Sequence, residues 1–96
     1  MDLAELIEDK RRAIRRIAGE HGAREIRVFG SVTRGDATEE SDIDFLVDLE
    51  EGRSLLDVGG LLMDLRDELG VEVDITTTGS LPEDERDRIL ESTESI

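Results

Sequence analysis

The chain lacks cysteine, tryptophan and tyrosine, and has two phenylalanines, one histidine, one lysine and one proline in 96 residues. Without cysteine there are no disulfides, no thiol nucleophile and no thiolate zinc site. A single histidine, His21, excludes a multi-histidine metal centre. No apolar run approaches the ~18–20 residues that a membrane span needs. Charge interleaves the first apolar residues, so nothing there reads as a signal peptide. A cytoplasmic protein is expected. With so few aromatics the core must be aliphatic. Leu, Ile, Val and Phe number 28, well above the ~20% below which chains stay disordered. Phe29 and Phe45 are expected inside. The length allows one small domain, residues 1–96.

What is abundant is acid. Asp and Glu number 26 against 12 basic residues, for a net charge of −14. Such a surface repels phosphate backbones, which argues against a general nucleic-acid-binding module. Eleven of the twelve cations are arginine. An acidic, lysine-poor composition suits a salt-loaded cytoplasm, and equally a basic protein partner.

The pattern predicts the order α-β-β-α-β-α. Asp2 caps a first helix with Glu5 three residues on, and Leu3, Leu6, Ile7, Ile14 and Ile17 share one face, ending near Gly19 and Gly22. Short strands are expected at Ile26–Phe29, Ile43 to about Leu49, and Val71–Thr76. Ser54, with Asp57, caps a helix that ends at Gly70. Ser80-Leu81-Pro82-Glu83 reads as a capping box for a last helix through Ile89 and Leu90. The fold class is α/β (α+β): a small mixed sheet of about three strands with helices on one face. Ile89, Leu90 and Ile96 have little chain left to cover them. With the first helix's stripe and the cluster Lys10, Arg11, Arg12, Arg15 and Arg16, they form an expected partner patch. Within that cluster Glu8 is expected to support Arg12.

The chemistry begins at Ser41-Asp42-Ile43-Asp44. Strand side chains alternate, so Ile43, Phe45 and Val47 face the core while Asp42 and Asp44 face away together. In the third strand Val73 and Ile75 are core, which turns Asp74 outward. If the two strands are neighbours, three carboxylates share one open face. That is a hard oxygen set suited to Mg²⁺ or Mn²⁺. Such a trio is costly in strands without a function, since strands disfavour Asp. Gly30-Ser31 follows the first strand directly. A strand running into Gly-Ser offers backbone N–H groups and a hydroxyl to a phosphate, and Arg34 has the fork to meet one bidentately. His21, at a helix end, and Gly59-Gly60, within a helix, read as structural, the glycines permitting close packing.

The run from Gly30-Ser31 through Gly35 to Ser41-Asp42-Ile43-Asp44, with Asp74 later, resembles the signature of the polymerase-beta-type nucleotidyltransferase superfamily. More narrowly it is similar to the minimal nucleotidyltransferases, stand-alone domains that act as antitoxins to HEPN-domain toxins encoded beside them. The likeness extends through Leu55–Leu62, Val73-Asp74-Ile75 and Arg88-Ile89-Leu90. Asp36 departs from it, since a small or neutral residue is usual there. The resemblance implies that Gly30 and Ser31 hold the triphosphate of ATP. It also implies that Asp42, Asp44 and Asp74 are catalytic and ligate two Mg²⁺ ions, with Asp74 helping to activate the attacking hydroxyl. Arg34 matches a frequent arginine of the subfamily near the nucleotide.

The activity implied is transfer of AMP from ATP to a hydroxyl, a tyrosine of the HEPN toxin. With no tyrosine of its own, the chain would need that acceptor in trans. Two other readings stand beside this protein adenylyltransferase. One is a non-catalytic acidic module that neutralises a basic partner by occlusion. The other is the catalytic subunit of a split small-molecule nucleotidyltransferase.

Overall fold

The computed structural model describes residues 2–30 and 42–96. Asp2 Oδ1 accepts from Glu5 N at 2.8 Å and starts α1, Leu3–Asp9. The chain steps at Lys10 and continues as α2, Arg11–Glu20. The single first helix read from the pattern is therefore two. Between Ile7 and Ile14 the inner face carries Lys10 and Arg11 rather than an apolar residue. Arg11 leaves it to reach Glu8 Oε2 at 2.7 Å and the Ser95 carbonyl at 3.5 Å. Glu8 thus pairs with Arg11, not Arg12.

Then follow β1 (Ala23–Phe29) and β2 (Ile43–Leu49), antiparallel, and α3 (Leu55–Leu69), which crosses to β3 (Val73–Thr77), parallel to β2. A 3-10 turn at Thr78–Ser80 leads to α4 (Glu83–Glu91) and β4 (Glu94–Ser95). Among the described residues the sheet has four strands in the order β3-β2-β1-β4. β1 begins three residues before the apolar run, because Arg24 and Glu25 carry no alternation that marks a strand. The capping box of α3 forms as read: Ser54 Oγ accepts from Leu56 N at 3.2 Å and Asp57 Oδ2 accepts from Ser54 N at 2.9 Å. That of α4 does not. The Ser80 hydroxyl is committed to the Thr77 carbonyl at 2.8 Å, and Pro82 occupies the N-cap without a side-chain bond. Glu83, Asp84 and Glu85 in the first turn still oppose the helix dipole.

The core is one cluster between the sheet and α1, α2 and α3. Leu3, Ile7, Ile14 and Ile17 meet Leu61, Leu65 and Leu69 over Ile26, Val28, Ile43, Phe45, Val47 and Val73. Each such side chain, fully buried, is worth roughly 1.5–3 kcal/mol in transfer terms. Ile96 belongs to this core, at 5% exposed. β4 pairs with β1, Ile96 N donates to the Ile26 carbonyl, and Arg15 Nε donates to the Ile96 carbonyl at 2.7 Å. The expected partner patch is therefore covered. Its tail residue and the apolar stripe of α1 lie inside, and two arginines of the basic cluster serve the tail's backbone. Ile89 and Leu90 are half-buried.

Candidate active site

Register decides which side chains share the sheet face away from the core. β1 and β2 set Phe29 opposite Asp44, Arg27 opposite Leu46 and Glu25 opposite Asp48. β2 and β3 set Asp44 beside Asp74 and Leu46 beside Thr76. Residues directly opposite in a ladder point the same way. Ile43, Phe45 and Val73 are buried in the core, so the face opposite carries Phe29, Asp44 and Asp74 in one row across three strands. Strands lie ~4.8 Å apart, which makes Asp44 and Asp74 nearest neighbours. Asp42 precedes β2 and stands two residues, ~6.6 Å, from Asp44. Asp42 and Asp74 are exposed and Asp44 is half-buried.

The same face is closed further along. Leu46 is 1% exposed yet lies outside the main core cluster. Around it, Thr78 Oγ1 donates to Asp48 Oδ1 at 3.2 Å and Arg27 Nη1 donates to Thr93 Oγ1 at 3.3 Å. The segments flanking α4 thus serve this end and leave the carboxylate row at the other. Asp48 has the parity of Asp44 but is engaged by Thr78 and, at 3.4 Å, by Arg24.

Gly30 closes β1 directly above this row. Its φ is +80°, a conformation only glycine adopts at little cost. A Cβ there would stand 2.5 Å from Asp44 Oδ2. Backbone and carboxylate therefore approach each other as they do only at glycine. Ser31 and Arg34 lie outside the described residues, as does Asp36.

The donor set fits a hard divalent cation. It is all carboxylate oxygen, two members are adjacent in register, and Gly30 keeps a side chain out of the space over one of them. The three side chains share a face without closing on a point. Among the described residues no three His, Asp or Glu side chains come together closely enough to hold an ion. Asp42 lies outside the strand, Asp74 is on an edge strand, and like charges spread apart.

The neighbour that residue-by-residue reading misses is Phe29. It is half-buried beside Asp44 rather than in the core. The signal was in the alternation: with Ile26 and Val28 inside, Phe29 must face the other way. His21 is structural, as read. It ends α2, and its Nε2 lies 2.6 Å from Asp64 Oδ2 of α3. Gly60 makes that pair possible, since a Cβ there would stand 2.8 Å from the imidazole, whereas a Cβ on Gly59 would meet nothing.

Residues 9–96 match the family model described as "Nucleotidyltransferase domain". A protein of Methanocaldococcus jannaschii that bears the name protein adenylyltransferase is 43% identical over 88% of this chain and 90% of its own. A solved minimal nucleotidyltransferase superposes with a TM-score of 0.85 and 45% identity, covering 100% of this chain and 95% of that one. A chain of a toxin–antitoxin crystal structure with AMP-PNP superposes with a TM-score of 0.71, over 85% of this chain and 68% of that one. At 20% identity that likeness is one of fold. Among the described residues no helix is long and apolar enough to cross a membrane.

Proposed function

This chain belongs to the nucleotidyltransferase domain family, and on that premise we propose that it moves AMP from ATP to a hydroxyl of a partner protein, a tyrosine of a HEPN-domain toxin, as the cytoplasmic antitoxin of a toxin–antitoxin pair. The observation that carries the reading is the pair Asp44 and Asp74, adjacent in register on β2 and β3, with Gly30 at the end of β1 against Asp44. The adenylyltransferase name of a relative matched over nearly its whole length supports AMP as the group moved. The fold shared with a chain of a toxin–antitoxin structure supports the class of partner. The whole of residues 1–96 acts as one catalytic domain.

In this reading the acceptor oxygen attacks the α-phosphorus of ATP in line. The new P–O bond forms as the bond to the α,β-bridging oxygen breaks, and pyrophosphate leaves. Asp74 receives or relays the hydroxyl proton. Asp42, Asp44 and Asp74 hold Mg²⁺, with Mn²⁺ a workable substitute. Metal held by these residues would supply positive charge to the entering and leaving oxygens. Gly30 brings backbone close to the triphosphate, Ser31 adds a hydroxyl donor, and Arg34 pairs with phosphate oxygen. The acceptor comes in trans because the chain contains no tyrosine.

The test is incubation of the chain with ATP labelled at the α-phosphate, Mg²⁺ and a HEPN-domain partner protein. Label is expected on the HEPN protein. A HEPN protein that binds but stays unlabelled leaves the occlusion reading in its place.

A further inference from the structure

The first nine residues of α3, Leu-Leu-Asp-Val-Gly-Gly-Leu-Leu-Met, hold one charged residue in a chain that is 40% charged. That residue, Asp57, is turned back into the capping box. The inner face of α3 is Leu61 and Leu65, both fully buried, with Leu69. Over those nine residues the outer face is apolar as well. Leu56, Gly59 and Met63 follow i, i+3, i+7 with Leu55 alongside. Leu55 is 85% exposed, Leu56 87% and Met63 56%. They are the large hydrophobics the described fold leaves most open. A helix that is apolar all round belongs in a place buried all round. This stretch is covered by the sheet and by α2, and its outer side is open over Leu55, Leu56 and Met63. The capping box makes no demand on the residues at 55 and 56, so local structure does not account for two leucines there.

Charge selects the occupant. Arg53 is held by Glu50 at 3.2 Å and Asp57 at 3.3 Å, and Arg66 by Glu72 at 3.0 Å. Glu51 and Asp67 remain exposed at the rim, on a chain of net charge −14. A second copy would set acid against acid. A basic protein would not. We propose that the outer face of α3 is the docking surface for the acceptor protein. That protein would present an apolar face to Leu55, Leu56 and Met63 and cations to Glu51 and Asp67. This rests on the reading of the chain as a protein-modifying transferase. α3 covers the core face of the sheet, and Leu55 and Leu56 lie beyond the β2 end opposite Asp44. A partner seated there leaves the carboxylate row open to ATP.

The experiment titrates a HEPN-domain partner protein into the full chain by calorimetry, at low and at high salt. It compares wild type with Leu56→Glu/Met63→Glu, Leu56→Ala and Glu51→Lys/Asp67→Lys. Thermal melts check that each variant folds. Expected are a loss of at least tenfold in affinity for the first, a smaller loss for the second, and for the third a loss that shrinks as salt rises. An unchanged Kd in the Glu double variant overturns the proposal, as does a HEPN protein that does not bind the wild type. Sedimentation equilibrium of the chain alone supplies the competing outcome: a dimer dispersed by Leu56→Glu would assign the face to a second copy. Label transfer is read in parallel. Transfer that ignores the face defeats the docking surface alone. Binding that depends on the face without transfer defeats the proposed activity alone.

Discussion

Gly30 and Asp44 lie in such close approach that a Cβ on the glycine would stand 2.5 Å from Asp44 Oδ2. Gly30→Ala must therefore move the carboxylate and also hold alanine at φ +80°. The left-handed conformation alone costs about 1–2 kcal/mol. A lowered melting temperature and near-complete loss of nucleotide use are expected. Kinetics on the folded fraction separate the two effects.

Neutralising the row has the opposite balance. Asp42→Asn, Asp44→Asn and Asp74→Asn should each abolish transfer while leaving the melting temperature unchanged or slightly raised, because adjacent like charges in a ladder are destabilising. Chelation of divalent metal should have the same effect on transfer, reversed by Mg²⁺ or Mn²⁺. Full activity in Asp44→Asn and Asp74→Asn would remove both residues from the site.

The two adjacent glycines of α3 should respond differently to one substitution. Gly59→Ala enters open space and gains helix propensity of up to about 1 kcal/mol. Gly60→Ala meets the His21 ring at 2.8 Å, which offsets that gain and disturbs the His21–Asp64 contact. A double-mutant cycle of Gly60→Ala with His21→Ala should show coupling, and one of Gly59→Ala with His21→Ala should show little.

The cap of α3 contributes a pH dependence of known sign. The Ser54 N–H bond, aided by the Arg53 guanidinium, holds the Asp57 carboxyl below the ordinary carboxylate range. A depressed folded pKa stabilises the fold above the unfolded value, ~3.9. That stabilisation disappears as the pH falls through the folded value. The difference in urea midpoint between wild type and Asp57→Asn should thus be largest near pH 6 and shrink toward pH 3.

Ile96 supplies a core test at a place the pattern left uncovered. Ile96→Ala should cost about 2–5 kcal/mol, and Arg15→Ala should weaken the same corner by releasing the Ile96 carbonyl. Retained stability in Ile96→Ala would mean the residue is not part of the folded core.

Much of this was readable before any coordinates. The alternation around Ile43, Phe45 and Val73 fixed which way Asp44 and Asp74 face, because a strand has one parity and the apolar residues declare it. The Ser54–Asp57 cap was equally plain, since both partners lie within one turn. What failed had separate causes. Ile96 looked uncovered because two strand residues, Glu94 and Ser95, are too few and too polar to signal pairing with β1. Ser80 looked like a cap because sequence does not show that its hydroxyl prefers the Thr77 carbonyl. Phe29 was placed inside on hydrophobicity although its neighbours' alternation put it beside Asp44.

β3 is an edge strand, and Asp74 lies on it. Its far side offers backbone groups with no neighbouring strand among the described residues, a template for another strand. Charge on such a margin is how folded chains discourage polymerisation, and Asp74 with Glu72 provides it here. Under the proposed function the same carboxylate would keep molecules apart as well as serve chemistry. An apolar replacement such as Asp74→Val would confuse the two, reporting lost activity while the protein leaves solution as a precipitate.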